Sequence, residues 1–238
     1  MTARMTALSS RLDRWFFTVM GLLIAATVFV GFSASFYLRG VTPLPLAPLL
    51  VVHGIVFTTF VLLFIVQAFF IATDRIKIHK LLGWFGAALA LLMVSLGVLA
   101  AIQALRLGRA PIPGLDPRSF FVVPMGDITM FCLLLGAGIW FRASGDTHRR
   151  LMLLALIAII DAAIARIPLH FIQTGGPPVF FGLTDLFIFA GLAFDLITRR
   201  KIHPAFIWGG LALIISQPLR LVIGGTDLWK GFADLFLH

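Results

Sequence analysis

Charged residues are scarce in this chain, and their scarcity limits the class of protein it can be. Only 12% of the 238 residues are Asp, Glu, Lys or Arg, whereas 60% are hydrophobic. A soluble domain carries about 25% charged residues. The composition therefore excludes an ordinary soluble protein and leaves no stretch for a separate soluble domain. We predict one membrane domain over residues 1–238.

Cysteine and the familiar metal-binding spacings are also lacking. Cys132 is the only cysteine, so no intramolecular disulfide forms, and its apolar neighbours predict a packing role. Neither HExxH nor CxxC occurs. The last predicted span has no lysine for a retinal Schiff base and no HxxxH pair. These absences argue against a rhodopsin and against the receptor-like membrane hydrolases.

Long apolar runs stand in place of charge. A membrane-spanning helix needs about 20 mostly apolar residues, and the first run is too long for a signal peptide. Seven runs qualify, at residues 15–38, 49–72, 81–105, 120–141, 151–170, 181–197 and 205–223. The link QTGGPPVF, residues 173–180, is predicted to turn the chain between the fifth run and the sixth. The predicted fold class is all-α: a polytopic bundle of seven transmembrane helices, built as a first helix plus three helical hairpins. A short interfacial helix is expected in the tail.

The distribution of Lys and Arg predicts the orientation. Twelve of these 19 residues fall on the side of the membrane where the N-terminus is predicted to lie, and five fall on the opposite side. The positive-inside rule then places the N-terminus in the cytoplasm and the C-terminus outside, in a bacterial inner membrane. The formal charge of +9 is explained in the same way. It needs no nucleic-acid partner, and anionic membrane lipids are the expected contact.

Ionisable side chains inside the predicted spans mark the candidate site, because a charge at the bilayer centre costs at least ~2.5–3.5 kcal/mol. The fifth span carries Asp161, Arg166 and His170, and the seventh carries Gln217 and Arg220. We predict an outward-facing polar pocket in which Asp161, Arg166, Gln217 and Arg220 bind a small or lipid-like ligand. Asp161 is expected to pair with Arg220. The structural alternative is a buried ion-pair network that only fixes helix packing.

A threefold pattern suggests a metal site beside that pocket. His53, Asp127 and Asp185 are each followed four residues later by phenylalanine, at similar depth in three predicted spans. With His170 they offer imidazole and carboxylate ligands, which suit zinc, manganese or iron. A metal-bound water would supply a nucleophile. The sequence thus predicts a divalent metal as cofactor and a metal-assisted membrane enzyme.

Other functions stay open at this stage. They are a proton-coupled transporter, a haem or quinone redox protein, and an accessory subunit of a larger membrane complex; a homo-oligomer is also open. Haem is less favoured because the aspartates would be poorly solvated beside a porphyrin. His79, His148 and His203 each enter a span beside Lys or Arg. They are expected at the interface, the alternative being a three-histidine metal site or axial haem ligands.

Four segments together carry a resemblance: HGIVFTTFVLLFIVQ, RIKIHKLLGWFG, THRRLMLLA and FGLTDLF. In combination the chain resembles a bacterial family of small seven-span membrane proteins with no assigned activity. The resemblance covers most of the chain. It implies seven spans and a bacterial membrane, and it implies no mechanism.

Overall fold

The computed structural model describes residues 2–39, 46–110 and 114–237, with side chains described at Asp13 and from Trp15 onward. Regular secondary structure in these ranges is helical throughout. The helices are α1 Thr2–Phe32, continued by a π-helical turn Ser33–Tyr37; α2 Pro48–Ala72; α3 Ile76–Arg106; α4 Pro117–Phe120; α5 Val122–Trp140; α6 Gly145–Ile157; α7 Asp161–Ile164; α8 His170–Arg199; α9 Pro204–Gly224; and α10 Asp227–Asp234. The predicted all-helical class is confirmed.

Six helical stretches within those ranges are long and apolar enough to cross a membrane. They are Trp15–Tyr37, Pro48–Ala72, Ile76–Arg106, Pro117–Trp140, His170–Arg199 and Pro204–Gly224. In the most apolar 18-residue stretch of each of these helices, only 22–33% of the residues are buried inside the bundle. Many large apolar side chains face outward, among them Trp84, Leu91 and Val222, and such an apolar exterior is what contact with lipid requires. The chain is therefore a multi-pass membrane protein.

The predicted fifth span is wrong as a continuous helix. Helix α6 ends at Ile157, and the backbone hydrogen bonds then tighten to i→i−3 at Ile159 and Ile160. One further turn, α7, starts at Asp161, and the chain leaves the helix again before Pro168. Proline has no N–H to continue a helix and clashes with the preceding turn. The earlier break carries no glycine or proline, so apolarity alone gave no sign of it.

The turn predicted at residues 173–180 lies inside α8 instead. The helix kinks at Gly176, whose φ of 67° is open to glycine without strain. Pro177 and Pro178 follow directly, so they occupy the first turn of the second half of α8. Proline is tolerated there because the N–H groups of a first turn have no helical acceptor. The Gly-Gly-Pro-Pro sequence therefore bends a helix and does not end it.

Helix α6 is the centre of the bundle. Its residues 153–157 have no exposed surface, and the helix packs against α1, α5, α8 and α9. Gly209 lets α9 pack closely against α6, since a Cβ atom at this position would lie 2.6 Å from the Leu154 side chain. Cys132, expected to pack inside, is exposed on α5 where lipid would contact it. The expected tail helix is present as α10, and its Trp229 indole donates to the Arg118 carbonyl at 3.0 Å.

Candidate functional site

Arg220 of α9 joins two buried carboxylates from different helices. Its Nη1 bonds to the Asp127 carboxylate of α5 and lies 3.9 Å from Oδ2 of Asp161, the first residue of α7. Its Nη2 donates to Ser216 Oγ at 3.0 Å. The hydroxyl of Thr184 on α8 donates to Asp161 Oδ1. We call Asp127, Asp161, Thr184, Ser216 and Arg220 the charge centre.

The local sequence makes room for this arginine. A Cβ atom at Gly126 would collide with the Arg220 guanidinium, so the residue before Asp127 has to be small. Arg220 also lies over the Phe181 ring, 5.7 Å from its centroid. Its Nε is buried and has no hydrogen-bond partner. The guanidinium is thus held by packing on two sides and by carboxylates on a third.

The charges of the centre do not balance. Two carboxylates and one guanidinium sum to one negative charge when all three are ionised, and none of the three side chains is more than 11% exposed. An uncompensated buried charge costs several kcal/mol. One proton on the Asp127–Asp161 pair removes that charge and leaves a neutral ion pair. The arrangement is therefore chemically suited to bind one proton.

The four predicted ligand-binding residues separate into different environments. Asp161 and Arg220 form the expected pair at 3.9 Å. Gln217 is buried on the same helix as Arg220, and its Nε2 donates to Asp185 Oδ1 at 2.8 Å. Arg166 is exposed, and its Nη1 donates to the Ala162 carbonyl at 2.6 Å. Three of the four thus converge on α9, and Arg166 has other partners.

The four predicted metal ligands also have separate partners. His53 stacks on Phe57 at 4.0 Å between ring centroids, and its Nδ1 lies 3.4 Å from the Leu96 carbonyl oxygen. His170 is exposed at the start of α8. Asp127 is paired with Arg220, and Asp185 accepts a hydrogen bond from Gln217.

No three His, Cys, Asp or Glu side chains are placed to hold one metal ion in the part of the chain that the structure describes. The metal centre at His53, Asp127, His170 and Asp185 therefore stays a prediction that the structure does not support.

A second cluster was missed by sequence reasoning. We call it the ion network: three arginines and three aspartates, namely Asp13, Asp146, Arg149, Arg150, Asp195 and Arg199. It ties the N-terminal half of α1 and the start of α6 to the end of α8. Two features of the sequence signal it: Asp195 lies near the end of the sixth predicted run, and the adjacent arginines Arg149 and Arg150 of the THRR segment are available to pair with it. Those arginines were counted only as markers of orientation.

Arg150 and Asp195 are the most buried pair of the ion network, with 0% of either side chain exposed. Arg150 Nε donates to Asp195 Oδ2 at 2.9 Å, and the backbone N–H of His203 donates to the same oxygen at 3.0 Å. Arg150 also donates to the Asp146 carbonyl at 2.9 Å. The pair thereby fixes α6 to α8 and to the start of α9.

The carboxylates at the edge of the ion network are held ionised. Hydrogen bonds from Arg199, with support from Arg149, lower the pKa of Asp146 to about 2. Burial raises the pKa of Asp13, but hydrogen bonds from the same two arginines outweigh it and hold that pKa below its usual value. With three charges of each sign, the network is neutral, unlike the charge centre.

Two cavities lie elsewhere on the molecule. One of about 200 Å³ is bordered by Arg39, Gln103 and Arg109 among others, and one of about 300 Å³ by Arg199 and His203. Neither is bordered by Asp161 or Arg220.

The helical fold and its apolar exterior define a multi-pass membrane protein. No family model matches the chain, and neither a curated protein nor a solved structure is significantly similar to it. The resemblance to a bacterial seven-span family therefore stays a prediction.

Proposed function

We propose that this multi-pass membrane protein binds and releases one proton at the charge centre and works as a proton-coupled carrier. The observation that supports this most is the sharing of Arg220 by two buried carboxylates, Asp127 and Asp161. Buried carboxylates inside a membrane protein are typical of proton relays in pumps and transporters. In this proposal the small or lipid-like ligand is the solute moved with the proton, bound near Asp161, Gln217 and Arg220.

The break before α7 gives protonation a way to act on the backbone. Asp161 begins α7, directly after the interrupted end of α6. Transporters commonly place their ion sites at such discontinuous helices. Helix α7 packs against α1, where a Cβ atom at Gly31 would collide with the Ala163 carbonyl. Protonation of Asp161 weakens its attraction to Arg220, so it would loosen α7 and the contact of α7 with α1.

Seven crossings and the orientation are part of the proposal. Helix α6 starts at the ion network and α8 ends there. The part of α8 that follows its kink at Gly176, residues 177–199, is about 35 Å long at ~1.5 Å per residue, so the kinked start of α8 lies at the other end of the bundle. Residues 151–169 would then cross the membrane as an interrupted helix. With the ion network on the Lys- and Arg-rich side, the N-terminus is cytoplasmic and the C-terminus outside.

A pH jump on supported proteoliposomes tests the function without knowledge of the solute. Proton binding inside the membrane moves charge, so the wild-type protein should give a transient current. Asp161→Asn should reduce the current to that of empty liposomes. Asp116→Asn, which removes a half-exposed carboxylate paired with Arg118, is the matched control and should keep it. An unchanged current in Asp161→Asn, or none in the wild type, contradicts the proposal.

Gly126→Ala probes the same site without altering its charges. The added methyl group would push against Arg220 and shift it away from its carboxylates. We expect a smaller current from this variant in the same recording. Gly136→Ala on the same helix meets no atom within 4 Å and should behave as the wild type.

A further inference from the structure

We propose that His79 and His148 together bind one divalent transition-metal ion between the start of α3 and the start of α6. Their ring centroids are 6.1 Å apart and their planes cross at 79°. This pair is separate from the charge centre and from the four predicted metal ligands. The proposal does not rest on proton coupling.

His148 is oriented as a metal ligand. Its Nδ1 lies 2.8 Å from the Gly138 carbonyl oxygen at the end of α5. A carbonyl oxygen only accepts, so Nδ1 carries the proton and donates it. In the neutral ring this leaves a lone pair on Nε2. Ligating histidines commonly have this second-atom hydrogen bond, which fixes the tautomer and the ring orientation.

His79 offers the second nitrogen. Its Nδ1 is buried and forms no hydrogen bond, although the ring lies near the backbone of Gln67. The side-chain Oε1 of Gln67 is likewise buried without a partner. The amide of Gln67 faces Gly83, one turn beyond His79 on the same helix. A buried lone pair without a partner is unfavourable, and a metal ion would supply the partner that the His79 Nδ1 lacks.

The ring separation fits one ion between the two imidazoles. Metal–nitrogen bonds of about 2.0–2.1 Å, added to rings of about 1.1 Å radius, put the centroids roughly 5–6.5 Å apart, depending on the bond angle. The observed 6.1 Å falls at the upper end of this range and corresponds to a nitrogen–metal–nitrogen angle of roughly 150°, wider than the tetrahedral angle. It requires each ring to present a nitrogen to the same point, as the two hydrogen-bonding patterns allow.

Other side chains do not complete a closed set. His203, the third histidine expected at this end, accepts the Ala205 N–H at 3.1 Å and caps α9. Within the described ranges no further His, Cys, Asp or Glu joins His79 and His148 to make a group of three. The ion would keep open positions for water or another ligand. Sites of that kind exchange their metal or act on a bound molecule, whereas structural zinc sites are closed.

Cobalt(II) titration of the full chain in detergent, after treatment with a chelator, tests the site. We expect one equivalent of Co²⁺ to bind, with visible absorption of a nitrogen-ligated ion. His79→Gln removes the Nδ1 ligand. His148→Asn removes Nε2 but keeps an N–H for the Gly138 carbonyl. Each should weaken Co²⁺ binding more than about tenfold, and Asp116→Asn, which alters a carboxylate paired with Arg118, should bind as the wild type.

Two results would overturn the site. One is Co²⁺ binding by both variants with wild-type stoichiometry and affinity. The other is a haem absorption spectrum in the purified protein that is lost in both variants, because the histidines would then be ligands of a haem iron. If His148→Asn fails to fold, His79→Gln decides alone, since the Nδ1 it removes makes no hydrogen bond in the folded chain.

Discussion

Single charged residues hold these helices together where water does not reach. The buried pair of Arg150 and Asp195 is the clearest case, because both side chains have 0% exposure. Removing one partner of a buried pair leaves an uncompensated charge, which costs about 3–5 kcal/mol. We expect Asp195→Ala to lower the free energy of unfolding by this amount, measured by denaturant unfolding in detergent.

The control for that variant is a half-exposed pair. Arg118→Ala breaks the pair with Asp116, in which the side chains are 42% and 34% exposed, and leaves Asp116 to accept the backbone N–H of residue 118. Exposed ion pairs contribute about 0–1 kcal/mol, so this loss should be small. Replacing both buried partners at once, as Arg150→Met with Asp195→Leu, should recover most of the stability. Equal effects of Asp195→Ala and Arg118→Ala would contradict a stabilising role for the buried pair.

Asp146 predicts how stability depends on acid. Its pKa is lowered from 3.8 to about 2 in the folded protein. A carboxyl whose folded-state pKa is lowered stabilises the protein above its unfolded-state pKa and ceases to do so as the pH falls through the folded-state value. The thermal midpoint should therefore be flat near neutrality and drop below about pH 4. Asp146→Asn should be less stable near neutrality and less sensitive to acid, and an unchanged acid profile would contradict the assignment.

Sequence reasoning found one charged cluster and missed the other for a physical reason. Asp161 and Arg220 lie well inside apolar runs, where any charge needs a partner, so their pairing was predictable. Arg150 and Asp195 lie near the ends of runs, where arginine is expected for reasons of orientation. The partner of a charge is also a property of packing. Nothing in the spacing pointed to Asp127 as the closer partner of Arg220.

At the scale of helices, glycines decide how closely α1 approaches the interrupted segment. A Cβ atom at Gly31 would collide with the Ala163 carbonyl of α7. Backbone cannot move aside as a flexible side chain can, and overpacking costs about 1–3 kcal/mol. We expect Gly31→Ala to lower the free energy of unfolding by this amount and to alter α7. Gly136→Ala meets no atom within 4 Å and should be neutral or stabilise by up to about 1 kcal/mol.

Most helices were predictable from apolar length, but α6 and α7 were not. Residues 151–170 contain no glycine, and their only proline is Pro168, so local propensity favours one continuous helix. The break depends on tertiary contacts of Asp161 with Thr184 and Arg220, and on the approach of α1. The kink in α8 had a signal in Gly176 and the two prolines that follow. We assigned that signal to a turn because a bend and a turn use the same residues.

The whole molecule predicts which side of the membrane each junction faces. In a Cys132→Ser background, Leu169→Cys at the junction before α8 should react with an impermeant maleimide added outside cells. Arg142→Cys, between α5 and α6, should be protected until the membrane is permeabilised. This pattern follows if residues 151–169 cross the bilayer. Both positions are at least partly exposed, so labelling of both from the same side would contradict seven crossings.

Proton binding at the charge centre is the central claim, and infrared difference spectroscopy tests it most directly. Spectra of the purified protein are compared between alkaline and acidic pH, in the region where only protonated carboxyl groups absorb. We predict one band that appears on acidification in the wild type and that Asp127→Asn or Asp161→Asn removes or shifts, whereas Asp116→Asn leaves it in place. A wild-type band that both variants retain unshifted, or no such band, would contradict the account and leave Arg220 and its carboxylates as a structural ion pair.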